Sequence, residues 1–152
     1  MTKTETVAAL RAWAEGSYDV EAAVELLVRA FDGALTEGPW IVHDDGWARF
    51  DASQTTEAGH LSVGQRRVLA IAASLADADQ RVALSDVLPG LDRDAAALVL
   101  AAIAHAAGTH EHADVEVIDG VMTGHGPLPS LYPWPAATPS PRPMRNERDA
   151  DS

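Results

Sequence analysis

Cysteine is absent from the 152 residues. The chain therefore forms no disulfide, has no thiolate nucleophile and offers no sulfur to a zinc ion. Lysine is nearly absent too: Lys3 stands alone against ten arginines, a bias that, beside abundant alanine, points to a high-G+C bacterial genome. Aromatic residues make up 5% of the chain, which fits helices packed through small side chains better than an aromatic-rich sheet core. No apolar run reaches the roughly 20 residues that span a bilayer. The opening MTKTETVAAL has neither the basic start nor the apolar stretch of a secretory signal. These absences lead to the expectation of a soluble, cytoplasmic protein. Positive charge is also scarce, with 11 Lys and Arg against 23 Asp and Glu and a formal charge of −12. Such a field repels nucleic acid and anionic lipid and favours solubility or a basic partner.

What the chain does have is alanine at helical spacing. From Asp92 to Gly108 (DRDAAALVLAAIAHAAG) the pattern predicts one helix. Asp92 is placed to cap it, Asp94 to favour its positive end, and Gly108 to close it, with His105 in the last turn. Ala95 to Ala104 contains no polar side chain, so this helix is expected in the middle of the fold, surrounded by the others. On that reading Leu100→Asp would unfold the domain.

Two further helices are predicted ahead of it, about Glu5–Ala14 and from Ser17 or Asp19 to Gly33, joined tightly and hence antiparallel. In the second, Val20, Ala23, Val24, Leu27 and Phe31 form the inward stripe, while Glu21 and Glu25 point outward. Around Asp45-Gly46, Trp40–His43 and Trp47–Phe50 read as a hairpin with Ile41 opposite Phe50, its Trp residues packed on the helices; an irregular loop anchored by those aromatics is the alternative. Ser62 with Gln65 makes a capping box that opens a helix to about Ala76. Ser85–Leu88 reads as a short helical turn, and Val115–Ile118 as a strand before Asp119-Gly120. Seven of the nine prolines lie between Pro127 and Pro143, excluding helix and interior strand there. The fold expected is mainly α: a single compact helical domain over 4–120, about four helices around the buried central one, with a minor β-hairpin or strand pair. A Pro-rich tail (121–152) follows, disordered from Ala136.

The stretch Leu61–Asp92 carries one family resemblance. Leu61, Ser62, Gly64 and Gln65, followed by Gly90-Leu91-Asp92, resemble the signature and D-loop of ABC-type ATPases. The resemblance implies contact with a nucleotide held by another subunit. Ser85 and Asp86, however, stand where that family has its magnesium-binding Asp and catalytic Glu, and no phosphate-cradling GxxxxGK[ST] loop occurs. Capped helices alone account for the pattern. The order helix, short turn, helix, strand over 63–118 is also that of a winged helix. Its would-be recognition helix has one Arg and no polar face with which to read bases.

Candidate sites are few. His105, His110, His112 and Asp114 have metal-binding side chains at a spacing that matches no established site. They read more simply as a helix-end cation and a polar loop, and no metal or other cofactor is assigned. His43-Asp44-Asp45 has acid–base groups but leads into a turn, where Asp is ordinary. Leu128, Leu131, Tyr132 and Trp134, in PLPSLYPWP, are too apolar for a plain linker. Residues 127–135 therefore form either a strap packed back on the domain or a recognition segment for a partner. The function expected is that of a protein–protein interaction or regulatory module, with a winged-helix regulator or a small enzyme with a His/Asp site as alternatives. No nucleic-acid or membrane partner is expected, and oligomeric state is open.

Overall fold

A computed structural model describes residues 1–136, apart from the side chains of Asp114 and His125. Helix accounts for about 54% of the described residues, whose strands form two small antiparallel pairs, so the mainly α reading holds. The first helix, α1 (Lys3–Ala14), starts two residues earlier than its apolar stripe suggests. Thr2 and Glu5 form a reciprocal capping box that satisfies the free N–H groups of its first turn. Thr6, Leu10 and Ala14, four residues apart, are its buried face.

The second helix, α2 (Tyr18–Arg29), is the one the others surround. It packs against α1, α3 (Val63–Ala76) and α5 (Arg93–Ala106). Its Ala22, Ala23, Val24, Leu26 and Leu27 are all buried, a band wide enough to serve several neighbours. The small Ala22 and Ala23 let helices approach closely, and each fully buried Leu contributes roughly 1.5–3 kcal/mol.

The all-round apolar α5 is thus not the central element, which corrects the expectation from its sequence. It buries Ala95, Leu98, Val99 and Ala102 in the core but leaves Leu100 51% and Ile103 48% exposed. Ala96, Leu100, Ile103 and Ala107 recur on one side of the helix, and nothing in the described structure covers Leu100 or Ile103. Alanine explains the misreading, since a small methyl tolerates water and core equally and apolar composition does not require burial on every side.

Beyond Arg29 the chain tightens into a 3-10 segment, Ala30–Thr36. Phe31, Asp32 and Gly33 there take left-handed backbone angles (φ 52°, 54° and 79°), and Lys3 Nζ donates to the Asp32 carbonyl at 2.7 Å. The predicted helix stop at Gly33 therefore falls one turn late. Trp40 is fully buried, its Nε1 donating to the Leu35 carbonyl at 2.8 Å. The hairpin β1 (Ile41–Asp44) and β2 (Trp47–Phe50) has Ile41 opposite Phe50 across Asp45-Gly46. Trp47 is 44% exposed, however, so only one of the two tryptophans flanking this turn packs inward.

Ser62 and Gln65 cap α3 reciprocally. The next helix, α4, is a single turn (Leu84–Val87), and Asp92 caps α5 by accepting from the Ala95 N–H at 2.7 Å. Ser85 and Asp86 thus sit in a helical turn, whereas the ATPase resemblance implies a strand leading to those positions. After α5, β3 (Ala113–Ile118) and β4 (Val121–Pro127) pair across Asp119-Gly120. This second hairpin extends through Asp119-Gly120, the turn at which the sequence pattern places the end of the helical domain. Sequence pattern marks β3 and not β4, whose Gly124, Gly126 and Pro127 dilute the alternation that betrays a strand.

Candidate functional site

The end of α5, the start of α2 and the segment Leu128–Ala136 bring together His105, His110, Tyr18, Glu21 and Trp134. His105 Nε2 lies 2.9 Å from Glu21 Oε1, and the other Glu21 oxygen accepts the Gly16 N–H at 3.1 Å. Glu21 is thereby fixed at both oxygens. A nitrogen that donates to a carboxylate leaves its partner in a neutral imidazole, Nδ1, with the lone pair. The His105 ring stacks on His110 with centroids 4.2 Å apart and planes within 6°. Tyr18 stands edge-on to both rings. Burial and then the charge of Glu111 hold the Tyr18 hydroxyl above its ordinary pKa. His110 Nδ1 is buried without a hydrogen-bond partner, and its Nε2 is 4.0 Å from Glu111.

Segment 128–136 closes over one side of this group. Leu128 N donates to the His112 carbonyl at 2.7 Å, and Leu131 N to the buried Thr109 hydroxyl oxygen at 3.2 Å. The Thr109 hydroxyl itself donates to the Ala104 carbonyl at 2.9 Å. Trp134 packs at the edge of the core, 6.2 Å from the His105 ring, with the Arg29 guanidinium 5.1 Å from its own ring centre. Leu131, in contrast, is 82% exposed, and Leu128 and Tyr132 are partly exposed.

Between α1, α2, His105 and Trp134 lies a cleft of about 310 Å³. One carboxylate there serves two guanidiniums: Glu25 accepts from Arg11 Nε at 2.8 Å and from Arg29 Nε at 2.6 Å. Burial alone would raise the Glu25 pKa, but the hydrogen bonds from Arg11 and Arg29 outweigh it and hold the carboxyl below its usual range. The same pairing raises Arg11. A larger cleft, about 500 Å³, runs from the left-handed turn at Phe31 and Asp32 to Asp92, Asp94 and Pro135.

Of the four candidate metal ligands, His105, His110 and His112 are not brought to one point, and the side chain of Asp114 lies outside what the structure describes. The stacked rings of His105 and His110 keep their in-plane lone pairs in separate, parallel planes, and His105 Nε2 is committed to Glu21. His112 is exposed. Among the described residues no group of three or more His, Asp or Glu is placed to hold a metal ion. His43 borders a separate cleft of about 250 Å³ with Lys3, Thr6 and Glu37, while Asp44 and Asp45 are exposed at the hairpin tip. Sequence reasoning missed Glu21, Tyr18 and Arg29 as partners of this cluster. Glu21 and His105 are 84 positions apart, and Glu21 reads as an ordinary outward acid of an amphipathic helix.

No protein-family model matches the chain, and neither a curated protein nor a solved structure shows significant similarity to it. Its own surface and chemistry are the basis for a functional reading.

The second concentration of unexplained features is the β3–β4 hairpin. Val115 (46%), Val117 (64%), Ile118 (52%), Val121 (65%) and Met122 (72%) are all exposed, so neither face of this arm is covered by the helices. Val115, Val117 and Met122 share one face by register, and Ile118 and Val121 share the other. From Asp94 to Pro141 the chain contains five acids and neither Lys nor Arg. No helix of the described residues is long and apolar enough to cross a membrane.

Proposed function

We propose that this chain is a small acidic protein–protein interaction module, acting in the cytoplasm, with the β3–β4 arm as its contact surface. One observation carries the reading: five large apolar side chains on one projecting hairpin are exposed on both faces. Two strands alone are marginally stable in water, so a hairpin with no cover of its own gains most by packing on another molecule. The local charge supports a basic partner, because an acidic rim around an apolar centre steers and orients a positively charged surface. The exposed Leu100 and Ile103 of α5 offer a second apolar area for the same purpose.

The test is affinity capture with the native chain and with a Val115→Asp/Val117→Asp/Met122→Asp variant, after thermal melting has shown the two equally folded. A basic protein retained by the native chain and lost from the variant is the expected result. Identical retained proteins would defeat the reading.

A second reading rests on the Glu21–His105 pair beside the 310 Å³ cleft. A carboxylate-held imidazole with a free nitrogen is the arrangement of a general base. If the cleft binds a small molecule for acid–base chemistry, ligand addition will shift the His105 ring resonances of the native chain. Glu21→Gln, which removes the carboxylate that holds the ring, will reduce that shift.

A further inference from the structure

We propose that the outer edge of β3 is a strand-addition site for a basic, extended segment of a partner protein. The inference rests on the interaction reading above and specifies how that surface recognises its partner.

The turn sets which backbone groups are free. Asp119 (φ 51°) and Gly120 (φ 77°) form a two-residue loop with both central residues left-handed. In such a hairpin the closing pair, Ile118 and Val121, exchanges hydrogen bonds, and bonded and unbonded pairs then alternate along the ladder. Glu116 therefore bonds across to Thr123, while Val117 and Val115 turn their N–H and C=O groups away from β4. Among the described residues β3 pairs with β4 alone. The result is an open edge of regularly spaced donors and acceptors.

Proteins that keep such an edge idle defend it with charged side chains, Lys above all, with Pro or with a bulge. The charged residues of β3 are the acids Asp114 and Glu116, which deter an acidic neighbour and not a basic one. The strand Ala113–Ile118 contains neither Lys nor Pro, and its one irregularity lies at the base, between Ala113 and Val115. The edge of β4 is a poorer template, since Gly124, Gly126 and Pro127 weaken it. An added strand would place alternate side chains beside Val115 and Val117, both exposed, and extend the apolar face they share with Met122.

Charge selects the occupant. A second copy pairing through the same edge would set acid against acid, because residues 94 to 141 have no Lys or Arg to offset Glu111, Glu116 and Asp119. A segment that alternates apolar and basic residues matches both the pleat and the field.

The experiment uses the full chain and a fluorescein-labelled peptide of about eight residues alternating valine and arginine, followed by anisotropy at about 0.15 M salt. A control peptide of identical charge is N-methylated on the backbone nitrogens of one edge, which removes strand pairing and preserves electrostatics. Val117→Pro removes one outward donor of β3 at an edge position where proline is tolerated. We expect the native pair to bind, and either the methylated peptide or Val117→Pro to weaken binding by at least about tenfold, equivalent to 1.4 kcal/mol. Because the methylated peptide is tested on the native chain, the result does not depend on how Val117→Pro folds. Equal binding of the two peptides, or no binding of either, overturns strand addition. If equal binding is then abolished by the Asp-substituted arm, the arm is still the contact surface and acts through its side chains. If the substituted arm binds equally as well, the interaction reading falls with it.

Discussion

At Glu25 burial and charge act in opposite directions. The carboxylate side chain is 17% exposed, and two arginines on different turns and helices hold it ionised. Glu25→Gln removes the charge and turns one of the two accepting oxygens into a donor that faces a guanidinium, but Arg11 and Arg29 remain partly in water, so solvent replaces much of the loss. Glu25→Gln is therefore expected to lower stability at pH 7 by about 1–2 kcal/mol in denaturant titration. The pH dependence follows from the sign of the shift. The folded pKa lies below the unfolded one, so the stabilisation is fully present above the unfolded value and disappears as pH falls through the folded value. Between about pH 5 and pH 3 the melting temperature of the native chain should fall further than that of Glu25→Gln. Asp32 tests backbone strain instead. It is exposed, and its φ of 54° suits glycine. Asp32→Gly is expected to raise stability by about 0.5–1 kcal/mol, with relief of the left-handed penalty exceeding glycine's added freedom in the unfolded chain. A drop in melting temperature would show that the side chain, rather than the backbone, matters there.

At the scale of helices, exposure assigns opposite fates to two leucines. Leu26 in α2 is fully buried and Leu100 in α5 is half in water. Leu26→Asp should unfold the chain, since an unpaired charge enters the core. Leu100→Asp should stay within about 0.5 kcal/mol of the native chain. Circular dichroism melts of both variants decide the matter, and the opposite order would restore α5 as the buried centre. The caps at Ser62 and Asp92, the Asp45-Gly46 turn and the Ile41–Phe50 pairing were legible because each depends on residues a few positions apart. The roles of α2 and α5 were not. Periodicity reports which faces are apolar, whereas the number of neighbours a helix acquires depends on contacts such as α2 with α5 that no local pattern encodes. The His105–Glu21 contact escaped for the same reason. For β4 the signal itself is weak, as Gly124 and Gly126 contribute no side chain to alternate.

At the scale of the whole molecule, Trp134 joins the end of the described chain to its beginning. It lies against His105 from α5 and under Arg29 from α2. Trp134→Ala is expected to destabilise by about 2–3 kcal/mol, through lost apolar contact and a lost cation–π interaction. It should also speed acylation of His105 and His110 by diethyl pyrocarbonate, followed by mass spectrometry. Unchanged stability and unchanged acylation would mean that segment 128–136 merely lies alongside the helices. The uncovered arm has a consequence for handling. At neutral pH each molecule carries −12 and keeps its neighbours at a distance. Near the isoelectric point, about 4.7, that repulsion vanishes while the edge of β3 stays open. Precipitate formed there should bind thioflavin and show cross-strand infrared bands, whereas the Val117→Pro variant should come out of solution later and without them. Colloidal stability in this protein would then be a property of one strand.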